Sequence, residues 1–374
     1  MPMPESNSVS WIVMSSLVTA MNKKNTPPPL SDIRVPAEWE PHRATHLAFP
    51  ANRNDWPGKF AAIRWAFVEI VRHLAPHEKI HLAVCGDGDR IRAERMFRDA
   101  EIDLDAIEWH TTSLDRGWMR DISPFFVKTP GPRVRGVKFR FNGWAKYANH
   151  RLDEQWSGQV AAALGVCLID ASYDGKPVVL EGGAVDVNGQ GDMITTEECL
   201  LDASSQARNP GFTVKDYESC FREYLGIRNI VWLGAGIAGD DTHGHVDDIC
   251  RFVNPTTVVA CRETNPADEN YRPLEENRER LQQARLHDGQ ALEVIDLPMP
   301  APLRFRGIRL PASYANFYIG NGEVLVPTFN DKRDCEVLGI LRELFSDRRV
   351  VGIHAVDLVW GFGTLHCLSH EEPL

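Results

Sequence analysis

Residues 178–201 read VVLEGGAVDVNGQGDMITTEECLL. Two β-rich runs flank Asn188-Gly189, a pair whose backbone suits a tight hairpin turn. Just downstream, apolar residues recur every three or four positions over 213–225, which predicts a helix, and Gly226 supplies its stop. NIVWL (229–233) follows as a third strand. Hairpin, helix and strand form one module.

The same order recurs along the chain. Hairpin-like segments stand at 121–141 (DISPFFVKTPGPRVRGVKFRF), 247–261 (DDICRFVNPTTVVAC) and 314–329 (YANFYIGNGEVLVPTF). Helical periodicity marks Phe60, Ile63, Phe67, Val71 and Leu74, and also about 153–164, 271–287 and 334–345. These helices lead into IHLAVC (80–85), VCLID (166–170), ALEVIDL (291–297) and RVVGIH (349–354). The five β-runs start at 80, 166, 229, 291 and 349, spacings of 86, 63, 62 and 58, with the extra chain assigned to the second copy. The first copy lacks a leading strand, and TLHCLSH (364–370) lacks a following one. Pairing the two closes a ring and removes its exposed edges. The fold class expected is α/β, a five-bladed β/α propeller of pseudo-repeated ββαβ modules. It forms a single domain over 36–374, with its ends joined.

Residues 1–35 read as an N-terminal extension, disordered or the product of an upstream start. WIVMSSLVTAM (11–21) is apolar, but the charges Lys23 and Lys24 follow it, the wrong order for a secretory signal. No run of 18 apolar residues is present, which argues against a membrane span. Lys+Arg number 41 against Asp+Glu 52, a net charge of -11 that disfavours nucleic acid and anionic lipid as partners. Eight scattered cysteines without framework spacing suggest reduced thiols and a cytoplasmic location.

Each module opens on a polar residue at a matching place: Asp121, Glu181, His245 with Asp247, Asn316 and Cys367. If the leading strands line one axis, these side chains converge. A cysteine thiolate is a strong nucleophile, and a nearby histidine activates it or protonates a leaving group. Asp121 and Asp247 suit a guanidinium, whose five N–H donors lie in a plane. Glu181 would orient and charge His245. For any one of these residues packing or capping is the commoner role. For a set repeated once per module it is not.

Together the motifs WMRD (118–121), LEGG (180–183), TTEECLL (195–201), GDDTHGHVDD (239–248), ASYANFYIGNGEVLVP (312–327) and GFGTLHCLS (361–369) resemble the bacterial peptidylarginine deiminase and agmatine deiminase family, within the guanidine-modifying pentein superfamily. The resemblance spans the chain from about Pro36 onward. It implies a five-bladed propeller and a covalent thiouronium on Cys367, with His245 as general acid/base. It further implies that Asp121 and Asp247 hold the guanidinium, that Glu181 sits beside the histidine, and that Asn316 lines the site. Trp118 and Asp241 are candidate substrate contacts.

The activity expected is hydrolysis of a guanidine, foremost agmatine to N-carbamoylputrescine plus ammonia, with no cofactor and no metal. The partner is then a small cationic guanidino substrate, and a homodimer is left open. Alternatives are another guanidine such as peptidyl-arginine, amidino transfer, a non-catalytic guanidinium binder, or a metal-dependent hydrolase built on His243, His245, Asp247 and Cys250. The acidic run at 239–248 predicts a negative mouth that focuses cations.

Overall fold

The structure is a computed structural model, and it describes residues 32–130 and 134–374. Residues 1–31 of the expected extension, and residues 131–133 within the hairpin-like segment 121–141, lie outside the described residues.

Five sheets of three or four strands carry the repeat among the described residues, and none closes into a barrel. Phe125–Lys128, Val134–Lys138 and Leu168–Asp170 form one. Val185–Val187, Asp192–Thr196 and Asn229–Leu233 form the next. Cys250–Asn254, Thr257–Arg262 and Glu293–Pro298 follow, then Tyr318–Ile319, Glu323–Thr328 and Arg349–His354. In each, the leading strand is antiparallel to the middle one, which is parallel to the last. A parallel neighbour requires a crossover, and the helix supplies it.

The two ends of the chain do pair. His370–Pro373 lies antiparallel to His42–Ala48, which runs parallel to Lys79–Val84. The terminal strand is therefore the leading strand that the first copy lacks. The long first spacing has a different cause from the one expected. Helix Asp87–Asp99 and strand Ile107–Thr111 occupy the extra chain, and that strand adds to the outer edge of the first sheet.

The crossover helices are amphipathic for the reason their spacing gives. Phe60–Leu74 buries Ile63, Phe67, Val71 and Leu74, while Phe60 is only half-buried. Each full burial of such a side chain contributes roughly 1.5–3 kcal/mol. Trp156–Leu164 and Asp334–Leu344 match their expected ranges, but Tyr271–Gln283 stops short of 287. Among the described residues no helix is long and apolar enough to cross a membrane.

Helix Val214–Leu225 shows how local sequence fixes an element. Thr213 accepts from Asp216 N, and Asp216 accepts from the Thr213 backbone, a reciprocal capping box. At the other end Gly226 takes φ 71°, and a Cβ there would lie 2.0 Å from the Ile33 carbonyl oxygen. Replacing Thr213 by alanine should lower stability by about 1 kcal/mol, as N-cap losses do. Urea unfolding read by fluorescence, with an unchanged m value, would check this.

Candidate active site

The polar residues at the module openings sit one step earlier than the sequence suggests. They lie in or beside short turns ahead of the leading strands, not in the strands themselves. Asp121 lies in Met119–Ile122, Cys367 in Leu365–Leu368, and Asp247 in Val246–Asp248. Glu181 immediately precedes the turn Gly182–Ala184, and Asn316 precedes Tyr318–Ile319. A turn there points its side chains across the strand ends instead of into a sheet face.

These turns bring the predicted residues together. The Cys367 thiol faces Asp247 Oδ2 at 3.7 Å, and Asn316 Nδ2 donates to the sulfur at 3.1 Å. The Asn316 carbonyl accepts from Thr364 Oγ1 and from the His366 amide, which fixes the cysteine turn. Opposite, His245 Nδ1 is 4.0 Å from Asp121 Oδ1. Its Nε2 is 3.8 Å from Glu181 Oε2, an ion-pair spacing longer than a hydrogen bond. Glu181 is held by Arg208, whose Nε reaches its two oxygens at 3.1 and 3.3 Å. All of these side chains are buried.

Two buried atoms at this point have no hydrogen-bond partner, Asp247 Oδ1 and His245 Nε2. Asp121 is more fully engaged, accepting from Gly183 N at 3.0 Å and from Trp144 Nε1 at 2.9 Å. Trp144 itself stands at φ 56°, a conformation costly for a bulky residue. A cavity of about 140 Å³ opens above this floor, lined by Cys367, Asp121, Trp118, Trp144, Phe362 and Asp241 among others.

Burial pushes the Cys367 thiol well above its ordinary range, and the carboxylates of Asp247, Asp248 and Asp121 add to the effect. Burial works to lower His245, yet Asp121, Cys199 and Glu181 together hold it well above the ordinary imidazole value. Glu181 stays ionised in spite of burial, held at about 2 by Arg208 and His245. Asp248, which accepts from Asn316, is pushed up by burial and by Asp247 and Asp240. The resting site is thus a neutral thiol opposite a charged imidazole.

Several participants escaped sequence reasoning. His366 spans Asp247 Oδ2 at 2.7 Å and Glu38 Oε2 at 2.8 Å. Its place beside Cys367 in TLHCLS was the available signal. Glu38, in a stretch with no recognisable motif, also accepts from Arg251 and Arg120. Cys199 and Arg208 complete the surroundings of His245 and Glu181.

Two expectations need correction. The mouth is not uncompensated acid. Asp241 accepts from Lys146 and from the Tyr147 hydroxyl, both at 2.6 Å, and Asp55 pairs with Arg116 at 2.7 Å. Asp240 caps its own loop, accepting from the amides of Thr242, Gly244 and His245. The run proposed for a metal hydrolase also disperses. His243 turns to Asp202 and Glu198, and groups of metal-binding geometry among the described residues do not include His243, Asp247 or Cys250.

Fold and site together define a mixed α/β protein with a buried thiol, imidazole and carboxylate set at the strand openings. The chain belongs to the Porphyromonas-type peptidyl-arginine deiminase family, whose profile matches residues 34–373. It is 34% identical to an agmatine deiminase of Stutzerimonas stutzeri, covering 91% of this chain and 95% of that one. An agmatine deiminase of Pseudomonas aeruginosa is 32% identical over 94% of this chain and 99% of its own. The solved agmatine deiminase of Enterococcus faecalis superposes with a TM-score of 0.83 at 27% identity, covering 91% of this chain and 96% of that chain. An amidinotransferase from Microseira wollei, at 10% identity and a TM-score of 0.50 over 91% and 96% of the two chains, shares the fold alone.

Gly183 is the residue on which this convergence depends. A Cβ there would lie 2.5 Å from His245 Nδ1 and 3.1 Å from both Asp121 Oδ1 and Asp247 Oδ2. Gly183→Ala should therefore displace the imidazole and lower kcat about 100-fold, the cost of an ångström-scale misplacement. Circular dichroism should remain that of the parent chain. Near-normal turnover would show that the three groups need not meet.

Proposed function

We propose that this chain hydrolyses a guanidino C–N bond through a covalent adduct on Cys367, converting agmatine to N-carbamoylputrescine and ammonia. The observation that carries this reading is the buried, unpartnered Oδ1 of Asp247, a carboxylate whose Oδ2 lies 3.7 Å from the Cys367 sulfur and flanks Gly183 together with Asp121. Relatives named agmatine deiminase, at 32–34% identity over nearly the whole chain, support the choice of substrate.

A guanidinium at the cavity floor would place its N–H donors against Asp121 and Asp247, where charge-assisted bonds contribute about 1.5–3 kcal/mol each. Its positive charge also offsets the carboxylate repulsion that keeps Cys367 protonated, so the thiol proton leaves to solvent as the cation enters. The thiolate attacks the central carbon. His245 gives its proton to the departing nitrogen, the C–N bond breaks, and ammonia leaves a cationic thiouronium on sulfur. Neutral His245 then takes a proton from water, whose oxygen attacks the same carbon. The C–S bond breaks, the ureido product leaves, and thiol and imidazolium are restored. Glu181, itself held by Arg208, keeps His245 charged and oriented. Trp118, Asn316 and Asp241 serve substrate placement in this reading, Asn316 through the sulfur.

The same reading includes the architecture. The five sheets stand about one axis as the blades of a propeller, and residues 36–374 make one domain. Their shared strand order and the mutual contacts of the module openings, Asn316 and Asp247 with Cys367 and Asp121 and Glu181 with His245, support this. All eight cysteines are free thiols, which supports a reducing, cytoplasmic location.

Cys367→Ser should abolish ammonia release from agmatine while binding of the guanidinium persists in calorimetry, because an alcohol is far less ionised. Wild-type-like turnover would remove Cys367 from the mechanism. A second outcome concerns pH. Since burial and three carboxylates raise the free thiol, the Cys367 share of the thiolate absorbance in the ligand-free enzyme, beside that of the exposed Cys167 and Cys335, should emerge only above the ordinary range of about 8.5. Cys367→Ser should remove that transition. Substrate choice is settled by rates on agmatine, arginine and a peptide ending in arginine, with agmatine expected to lead.

A further inference from the structure

Outside the cavity, the first sheet carries a second buried polar cluster. His46 and His81 face each other across the parallel pair of His42–Ala48 and Lys79–Val84. Glu372 comes from the terminal strand, five residues beyond Cys367. His46 Nε2 lies 3.4 Å and His81 Nε2 3.2 Å from the same oxygen, Glu372 Oε2. The three side chains are 0–3% exposed, and Phe126 and Trp156 pack on the His46 ring.

Hydrogen bonding leaves this cluster incomplete. Both ring nitrogens of His46 and Oε2 of Glu372 are buried without a hydrogen-bond partner. Native interiors rarely leave polar atoms so, and each asks for an explanation. One atom from each of the three residues lies within 4.8 Å of the others. An ion 2.0–2.1 Å from tetrahedral ligands separates them by about 3.3 Å, which matches the two nitrogen–oxygen distances. The surroundings fit as well. His81 Nδ1 is 3.0 Å from His110 Nε2 and 3.4 Å from Glu108 Oε2, acceptors that would fix the tautomer presenting Nε2. Arg43, 3.7 Å from Glu372 Oε1, leaves Oε2 unobstructed.

We propose that His46, His81 and Glu372 bind one divalent transition-metal ion of the zinc type, with water completing its coordination. Two imidazoles and a carboxylate are a donor set such ions favour. The three ligands come from the first, second and terminal strands of one sheet. The ion would staple the strand that follows Cys367 to the opposite end of the chain, a structural role separate from deimination.

The test uses the full-length chain without an affinity tag, unfolded with chelator, refolded with Zn²⁺ and gel-filtered. Elemental analysis should find one zinc per chain, retained in Cys367→Ser and lost in both His46→Gln and Glu372→Gln. X-ray absorption at the zinc edge should show two imidazoles and no sulfur, which separates this site from the group of Glu181, Cys199 and His245. The melting midpoint should rise with zinc in the parent chain and stay fixed in the variants. Should a variant fail to refold, the absorption spectrum of the parent decides alone. A parent chain without bound zinc, an ion retained by Glu372→Gln, or sulfur in the coordination shell would overturn the site in favour of a metal-free ion pair.

Discussion

Glu38 is the point from which the cavity floor is hung. Its Oε1 accepts from the Ile319 amide at 2.7 Å, while Oε2 faces Arg251 at 2.8 Å, Arg120 at 3.3 Å and His366 at 2.8 Å. Those four donors belong to four different module openings or leading strands. One carboxylate from the segment ahead of the first strand thus sets their mutual positions. Burial alone would raise Glu38, but Arg251, His366 and Arg120 hold it well below the usual carboxylate range. Removing one member of such a buried set leaves its partners uncompensated, which typically costs 3–5 kcal/mol. A set of this kind therefore specifies one arrangement more than it adds to stability.

The chemistry follows from residue adjacency. Arg120 and His366 turn to Glu38, and their neighbours Asp121 and Cys367 turn to the cavity. Each helical turn therefore delivers one side chain to the clamp and the next to the site, so the clamp locates the reactive groups through a single peptide bond. Above the clamp the balance of charge is reversed. Asp121, Asp247, Asp248 and Glu181 are all buried there, while Arg208 is committed to Glu181. Part of that excess is offset by the charge that Asp121 and Glu181 hold on His245. The remainder raises the thiol. A planar cation relieves both strains at once, so in the proposed reaction binding and activation of the nucleophile are one electrostatic event.

Much of this was legible in the sequence, because repetition turns weak local signals into a strong joint one. The β-runs at 229–233 and 349–354 appear at the very residues expected, and the pairing of the chain ends follows from the missing strands. The convergence of Asp121, Glu181, His245, Asp247, Asn316 and Cys367 could be read from their equivalent places in the modules. What could not be read depends on partners far apart in sequence. Glu38 has no motif around it, and its role exists only once Arg120, Arg251 and His366 surround it. The helical turns of four residues or fewer are too short for periodicity to mark. The added strand Ile107–Thr111 joins the first sheet only because that sheet's outer edge is free, a fact of topology.

The mouth of the cavity shows why net charge is a poor guide to specificity. A surplus of acid over the whole chain does not survive at a site where Arg116 and Lys146 answer Asp55 and Asp241. Burial raises Asp55 to about 7 against the opposing pull of Arg116, so its anion exists there on the strength of its partner. Arg116 in turn lies over the Tyr147 ring, 3.9 Å from its centroid. A ligand reaching this pair is not steered by an open field but must exchange with one member. An ammonium would take the place of Arg116 on Asp55, and Arg116 would keep its contact with the aromatic face. A carboxylate would take the place of Asp55 on Arg116, and Asp55 would be left buried with only the long 3.4 Å hydrogen bond from Asn52 Nδ2. The first exchange strands a cation that still has a ring to rest on and solvent within reach; the second strands a buried acid. On this argument the pair favours a guanidine with a cationic tail, and it does so by the unequal cost of the two exchanges.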